Sequence, residues 1–191
     1  MATTIEALWA AWEQPGLEHL RLRVDGGGAR ADSVIIALDD DGRPFRARFA
    51  IETDADWRVR HARIELLGDS ARALDLHADG LGRCTDAVTG AAQPLDGCLD
   101  IDVYPSPFTN TLPIRRLPAL APGAPVAIAV AYVTLPELTV RPAPQEYTLL
   151  ERQPDGARWR FRSLDSGFTA ELPVDAEGLV RDYPGIARRL R

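Results

Sequence analysis

The chain has no lysine, and all 22 of its basic side chains are arginine. Alongside abundant Ala, Gly and Pro, that preference reads as genomic base bias rather than a binding code. Acidic residues outnumber basic ones, giving a net charge of -6. A nucleic-acid footprint needs a basic stripe, so no nucleic-acid partner is expected. The acidic residues are scattered and form no block of the kind found in disordered tails. Cysteine is scarce: Cys84 and Cys98 make no Cys-x-x-Cys pair. The three histidines are scattered without metal-ligand spacing, so neither zinc nor any other metal or cofactor is expected. Long apolar runs are also missing. "VAIAVAYV" at 126–133 is strand-length, far short of the roughly 18 residues of a membrane span. "MATTIEALWAAWEQPG" lacks the basic start and apolar run of a secretory signal. The expectation is a cytoplasmic protein without stable membrane insertion, its thiols kept reduced. There is no Gly-x-Ser-x-Gly elbow, and Gly26-Gly27-Gly28 has no phosphate-loop lysine after it. No catalytic nucleophile is assigned.

What is present is strand pattern. A chain of 191 residues is one large domain, 1–191, or two small ones packed tightly together, and can bury roughly 70% of the surface its unfolded form exposes. "LEHLRLRV" at 17–24, "SVIIALD" at 33–39, "PFRARFAIE" at 44–52, "WRVRHARIELL" at 57–67 and "RALDLHA" at 72–78 read as strands. Asp40-Asp41-Gly42 marks a hairpin. Residues 79–97 read as turns, and "CLDIDV" at 98–103 as a short strand. "VAIAVAYVTL" at 126–135 is apolar on both faces, as a central strand should be. "QEYTLLER", "ARWRFRSL", "FTAELPV" and "LVRDY" follow, separated by turns. Two short helices are expected. In the first, Ile5, Leu8, Trp9 and Trp12 fall at helical spacing; the second is "PGIARRLR", opening at Pro184. The fold class is therefore mainly β (α+β). Strongly curved antiparallel sheet forms a half-barrel or open barrel with one or two short helices. "FRARF" and "RWRFR" hint at internal duplication.

Chemistry concentrates around "SPFTNTLPIRRL", 106–117. The segment has neither strand nor helix period and reads as a loop stiffened by Pro105, Pro107 and Pro113. Thr109, Asn110 and Thr111 offer groups that donate and accept hydrogen bonds, suiting a sugar or polyol head. They suit equally the capping of a sheet edge. Asp100 and Asp102, two apart in a strand, should share a face. Three roles fit them: structural pairing with Arg115 and Arg116, binding of ligand hydroxyls, or acid–base catalysis by a carboxylate pair. His61 and His77 lie in strands and read as structural.

"LDGCLDIDVYPSPFTNTLPIRRL" at 95–117 resembles the signature of the bacterial glycolipid-binding protein family, formerly a domain of unknown function. The likeness extends through "AYVTLPELTV", the "QEY" at 145–147, "VDAEGLVRDYPG", "WEQPGLEHLRL" and "DADWRVRHARIEL". It implies a curved antiparallel sheet similar to the half-barrel of bacterial lipoprotein carriers. It also implies non-catalytic binding of a small amphipathic molecule, a glycolipid or lipid precursor, in an apolar hollow with a polar rim. Asp100, Asp102, Thr109, Asn110, Arg115 and Arg116, with Gln145 and Tyr147 of the "QEY" segment, are the candidate ligand-binding residues. Where relatives often carry Trp after the Gly-Arg of the long turn, this chain has Cys84. The alternative from another class is an enzyme acting on a lipid-linked or sugar substrate through Asp100 and Asp102.

Overall fold

A computed structural model describes residues 1–68, 72–90, 92–117 and 121–191. The fold is mostly β, with fifteen strands and one short α-helix among the described residues. The first run is β1 (Thr3–Ala11), β2 (Leu17–Asp25), β3 (Gly28–Leu38), β4 (Pro44–Thr53), β5 (Val59–Leu66) and β6 (Arg72–Ala78). Two very short strands, β7 (Cys84–Asp86) and β8 (Ala92–Gln93), lie within the stretch expected to be turns. β9 (Asp100–Tyr104) leads into a 3-10 turn (Phe108–Asn110) and α1 (Thr111–Arg116). Then come β10 (Pro125–Thr134), β11 (Thr139–Gln153), β12 (Gly156–Ser163), β13 (Thr169–Asp175), β14 (Asp182–Tyr183) and β15 (Ala187–Arg189).

The strands form two sheets. Ten lie in the order β14-β15-β1-β2-β3-β4-β5-β6-β7-β8, all antiparallel. Five form a curled half-barrel in the order β13-β12-β11-β10-β9. Here β9 and β10 run parallel, against the antiparallel expectation, because the chain between them crosses over through α1 instead of turning back as a hairpin. A register shift between Leu149 and Glu151 marks a bulge in β11, the kind of irregularity that bends a strand. The sheets meet where Val59 N–H donates to Leu99 C=O at 3.0 Å and Arg181 N–H to Pro173 C=O at 2.8 Å.

Both expected helices are strands. In β1 the helical spacing of Ile5, Leu8, Trp9 and Trp12 coexists with a period-two reading. Ala7 and Trp9 point inward, while Trp12 lies beyond the strand and is 39% exposed. Pairing with β2 on one side and β15 on the other selects the strand. At the other end, Pro184-Gly185 makes a turn, and Ala187–Arg189 adds to β1 instead of coiling. The α-helical content lies in the stretch expected to be a loop. Every residue from Ser106 to Ile114 is buried, so the segment has no wet face to create a 3.6-residue period. Its prolines do not obstruct it. Pro107 precedes the 3-10 turn, and Pro113 stands in the first turn of α1, where the missing N–H would have no helical acceptor.

This helical segment fills the space between the sheets. Phe108 and Leu112, fully buried, join the main apolar cluster with Phe49, Ile51, Ile101 and Val133. Phe108 stacks on Phe49 with ring centroids 6.1 Å apart. Ile114 and Leu117 join a second cluster on the half-barrel with Tyr147, Trp159, Phe161 and Leu172. What looked like a rim is the plug of the core.

Candidate functional site

On β9 the alternation of a strand sends Ile101 and Val103 into the main core and Asp100 and Asp102 to the opposite face. The two aspartates have different fates. Asp100 is 2% exposed and bound by Arg116, whose Nε and Nη2 donate at 2.6–3.0 Å in a bidentate clamp. Burial pushes the Asp100 acid up, and the hydrogen bond and charge of Arg116 pull against it. Asp102 is bound by no arginine among the described residues. It accepts from Gln145 Nε2 at 2.6 Å and from Thr109 Oγ1 at 2.9 Å. Burial raises its pKa, and those two bonds only partly offset the rise.

The network continues inward. Tyr147 Oη, on a side chain 1% exposed, donates to Asn110 Oδ1 at 2.9 Å and lies 3.4 Å from Gln145 Oε1. Asn110 thus joins the plug to β11, and Thr109 joins it to β9. Arg115 stands apart, its guanidinium carbon 4.8 Å from the centre of the Trp57 ring. Of the candidate residues, then, Asp102, Thr109, Asn110, Gln145 and Tyr147 form one connected group. Asp100 pairs with Arg116 and Arg115 stacks on Trp57.

Beside Asp102 and Gln145 lies a cavity of about 280 Å³ on the half-barrel face. Its walls are aromatic. Phe161, Phe168 and Tyr183 form a triangle with centroids 6.1–6.2 Å apart, and Tyr104 and Tyr132 line it too. Burial, then the charge of Asp102, pushes the Tyr132 hydroxyl up to about 12 and that of Tyr183 well above its ordinary value. Arg141 also lines the cavity. Its guanidinium lies 5.1 Å over the Tyr132 ring and bonds Asp165 at 2.7 Å. An adjoining groove of about 590 Å³ shares Tyr104, Pro105, Tyr132 and Ile186 and runs past Trp12 and Phe45.

The sequence gives a partial signal for these walls. Phe161 sits at an inward position of an alternating strand, as expected for a half-buried sheet. Arg141, Asp165 and Tyr132 carry no such signal, because their meeting depends on the β10–β11 register and on the turn after β12. Glu18 was missed although its strand announces it: in β2 the buried positions are Glu18, Leu20 and Leu22. Its carboxyl accepts from Ser33 Oγ and Ser106 Oγ, both at 2.8 Å, and Oε2 has no partner among the described residues. Burial, against those two hydrogen bonds, raises its pKa from 4.5 to about 7. Ser106 ties this acid to the plug, next to the Tyr104-Pro105 wall of the cavity.

The histidines, scattered in sequence, meet across β5 and β6. His61 and His77 are register partners with rings 4.4 Å apart. Both turn toward Asp75, His61 Nε2 at 2.7 Å and His77 Nε2 at 3.4 Å, and Arg63 holds its other oxygen. Donor atoms of the three residues lie within 4.8 Å of one another, so they are the one group among the described residues with metal-ligand proximity. As arranged, the hydrogen bonds and charge pairing occupy the aspartate. Cys84 is in β7, partly packed against the main core, and does not line the cavity. Cys84 and Cys98 are both free thiols.

Residues 6–189 match the protein family described as "Putative glycolipid-binding", formerly DUF1089. The chain belongs to this family. A crystal structure of a DUF1089 family protein from Pseudomonas aeruginosa is similar at 40% identity and a TM-score of 0.77. The match covers 94% of this chain and 95% of that one. No curated protein matches the chain. Among the described residues, no helix is long and apolar enough to cross a membrane.

Proposed function

We propose that the protein is a non-catalytic binder of an amphipathic molecule, a glycolipid or lipid precursor, working in the cytoplasm. The observation that carries this reading is the aromatic cavity beside Asp102 and Gln145, which shares Tyr104, Pro105, Tyr132 and Ile186 with a larger neighbouring groove. Flat rings beside a few convergent polar side chains are the usual make-up of small-molecule sites, which span roughly 300–1,000 Å³. Asp102 and Gln145 meet the polar head. Thr109, Asn110 and Tyr147 hold those two in place through the hydrogen-bond chain. Asp100, Arg115 and Arg116 anchor the plug. The tail follows the apolar side of the groove, past Trp12, Phe45, Leu38 and Leu135, gaining about 0.8 kcal/mol for each methylene buried. The family description agrees with this reading, as do two free thiols with a reducing compartment. The Asp100–Asp102 enzyme is not favoured, because Asp100 is closed by Arg116; the other carboxylate lining the cavity with Asp102, Asp165, is paired with Arg141.

The test is native mass spectrometry of purified protein mixed with a bacterial lipid extract, paired with thermal shifts against alkyl glycosides of increasing chain length. A bound lipid mass and a melting point that climbs with chain length are expected. Protein that stays empty and unshifted across the series would remove the proposal.

A further inference from the structure

Asp100 and Asp102 stand on the same face of one strand, two residues apart; Asp100 is buried, and Asp102 is half-buried where it lines the cavity. Only the first is neutralised, by the bidentate Arg116. Among the described residues Asp102 accepts only from neutral groups, an amide and a hydroxyl. A carboxylate partly withdrawn from water without a counter-charge is held at some cost, and a ligand that supplies the charge offsets it. Arg141, the one cation lining the cavity among the described residues, is paired with Asp165.

The rings around Asp102 suit the same charge. Phe161, Phe168 and Tyr183 pack tilted or edge-on against one another in the cavity wall, and the negative faces of such rings attract a cation within about 6 Å. Arg141 over Tyr132 already makes this contact at one wall. The adjoining groove is lined by Glu13, Asp39, Asp40 and Glu137 and, among the described residues, by no basic side chain. An anionic head would meet Asp102 without a partner. A neutral sugar would satisfy its hydrogen bonds and leave its charge uncompensated.

We propose that the ligand's head carries a cationic nitrogen, a protonated amine or quaternary ammonium, seated against Asp102 inside the aromatic walls. This rests on the cavity being the ligand site proposed above. An amino sugar and an amino-alcohol head share that chemistry.

The experiment is calorimetric titration of the wild type, below micellar concentration, with four octyl probes: octyltrimethylammonium, octyl 2-amino-2-deoxyglucoside, octyl glucoside and octyl sulfate. The two cationic probes are expected to bind at least about tenfold more tightly than octyl glucoside, and octyl sulfate most weakly. Whichever cationic probe binds more tightly identifies the source of the nitrogen. Asp102→Asn, checked for folding by circular dichroism, should shrink the cationic advantage to within about threefold. Octyl glucoside binding as tightly as the cations, or an advantage that survives Asp102→Asn, overturns the cationic head and leaves the amphiphile reading standing. The wild-type comparison decides the matter alone if the variant does not fold. Failure of all four probes to bind overturns both.

Discussion

Glu18→Gln isolates the cost of an acid buried in a β-sheet. In the folded protein the Glu18 pKa rises from 4.5 to about 7, chiefly because burial disfavours the charged form. The folded state therefore holds its proton more tightly than the unfolded one. For a raised carboxyl pKa the stabilisation is fully present below pH 4.5 and is lost as pH climbs through about 7. At ~1.36 kcal/mol per pH unit, the gap from 4.5 to about 7 amounts to about 3 kcal/mol. In a domain of this size that is about 6–12 °C in Tm. Glutamine keeps an oxygen that can accept from Ser33 and Ser106 and never ionises, so the variant should lack this dependence. Urea unfolding of both proteins at half-unit steps from pH 4.5 to 8.5 reads the effect. The variant should match the wild type to within about 1 kcal/mol at the acid end and exceed it by about 3 kcal/mol at pH 8.5. A stability difference that stays flat across that range would refute the reasoning.

Two further substitutions probe the plug. Asn110→Ala leaves the buried Tyr147 hydroxyl without its nearest acceptor, costing about 1–3 kcal/mol in chemical denaturation. The double variant with Tyr147→Phe should cost less than the sum of the two single changes, and strict additivity would mean the bond contributes nothing. Arg116→Ala strands the buried Asp100 carboxylate, so it should cost about 3–5 kcal/mol, and adding Asp100→Leu should recover much of the loss. A single variant within 1 kcal/mol of the wild type would show that the clamp is not needed.

The strands from β2 to β6 were legible because each lays one side chain in, one side chain out, and the Asp-Gly hairpin between β3 and β4 uses a local turn signal. Where the reading failed, long-range pairing or complete burial had removed the signal. Trp9 suits a helix as well as a strand until β2 and β15 claim it from both sides. Phe108 to Ile114 shows no period because a helix buried all round has no reason to alternate. At the site, the period of two placed Asp100 and Asp102 on one face. It could not tell which would find Arg116, since that depends on where a plug of unforeseen shape would sit. Glu18 was readable from the Leu20 and Leu22 face it shares.

The indole N–H of Trp9 donates to Val180 C=O across 171 positions of chain. At roughly 5–20 residues per second of synthesis, that acceptor emerges about 10–35 s after its donor. Throughout that interval the first strand has only β2 beside it and a bare edge on its other flank. The nascent chain must keep this edge from foreign strands until the finishing strands arrive to close the sheet.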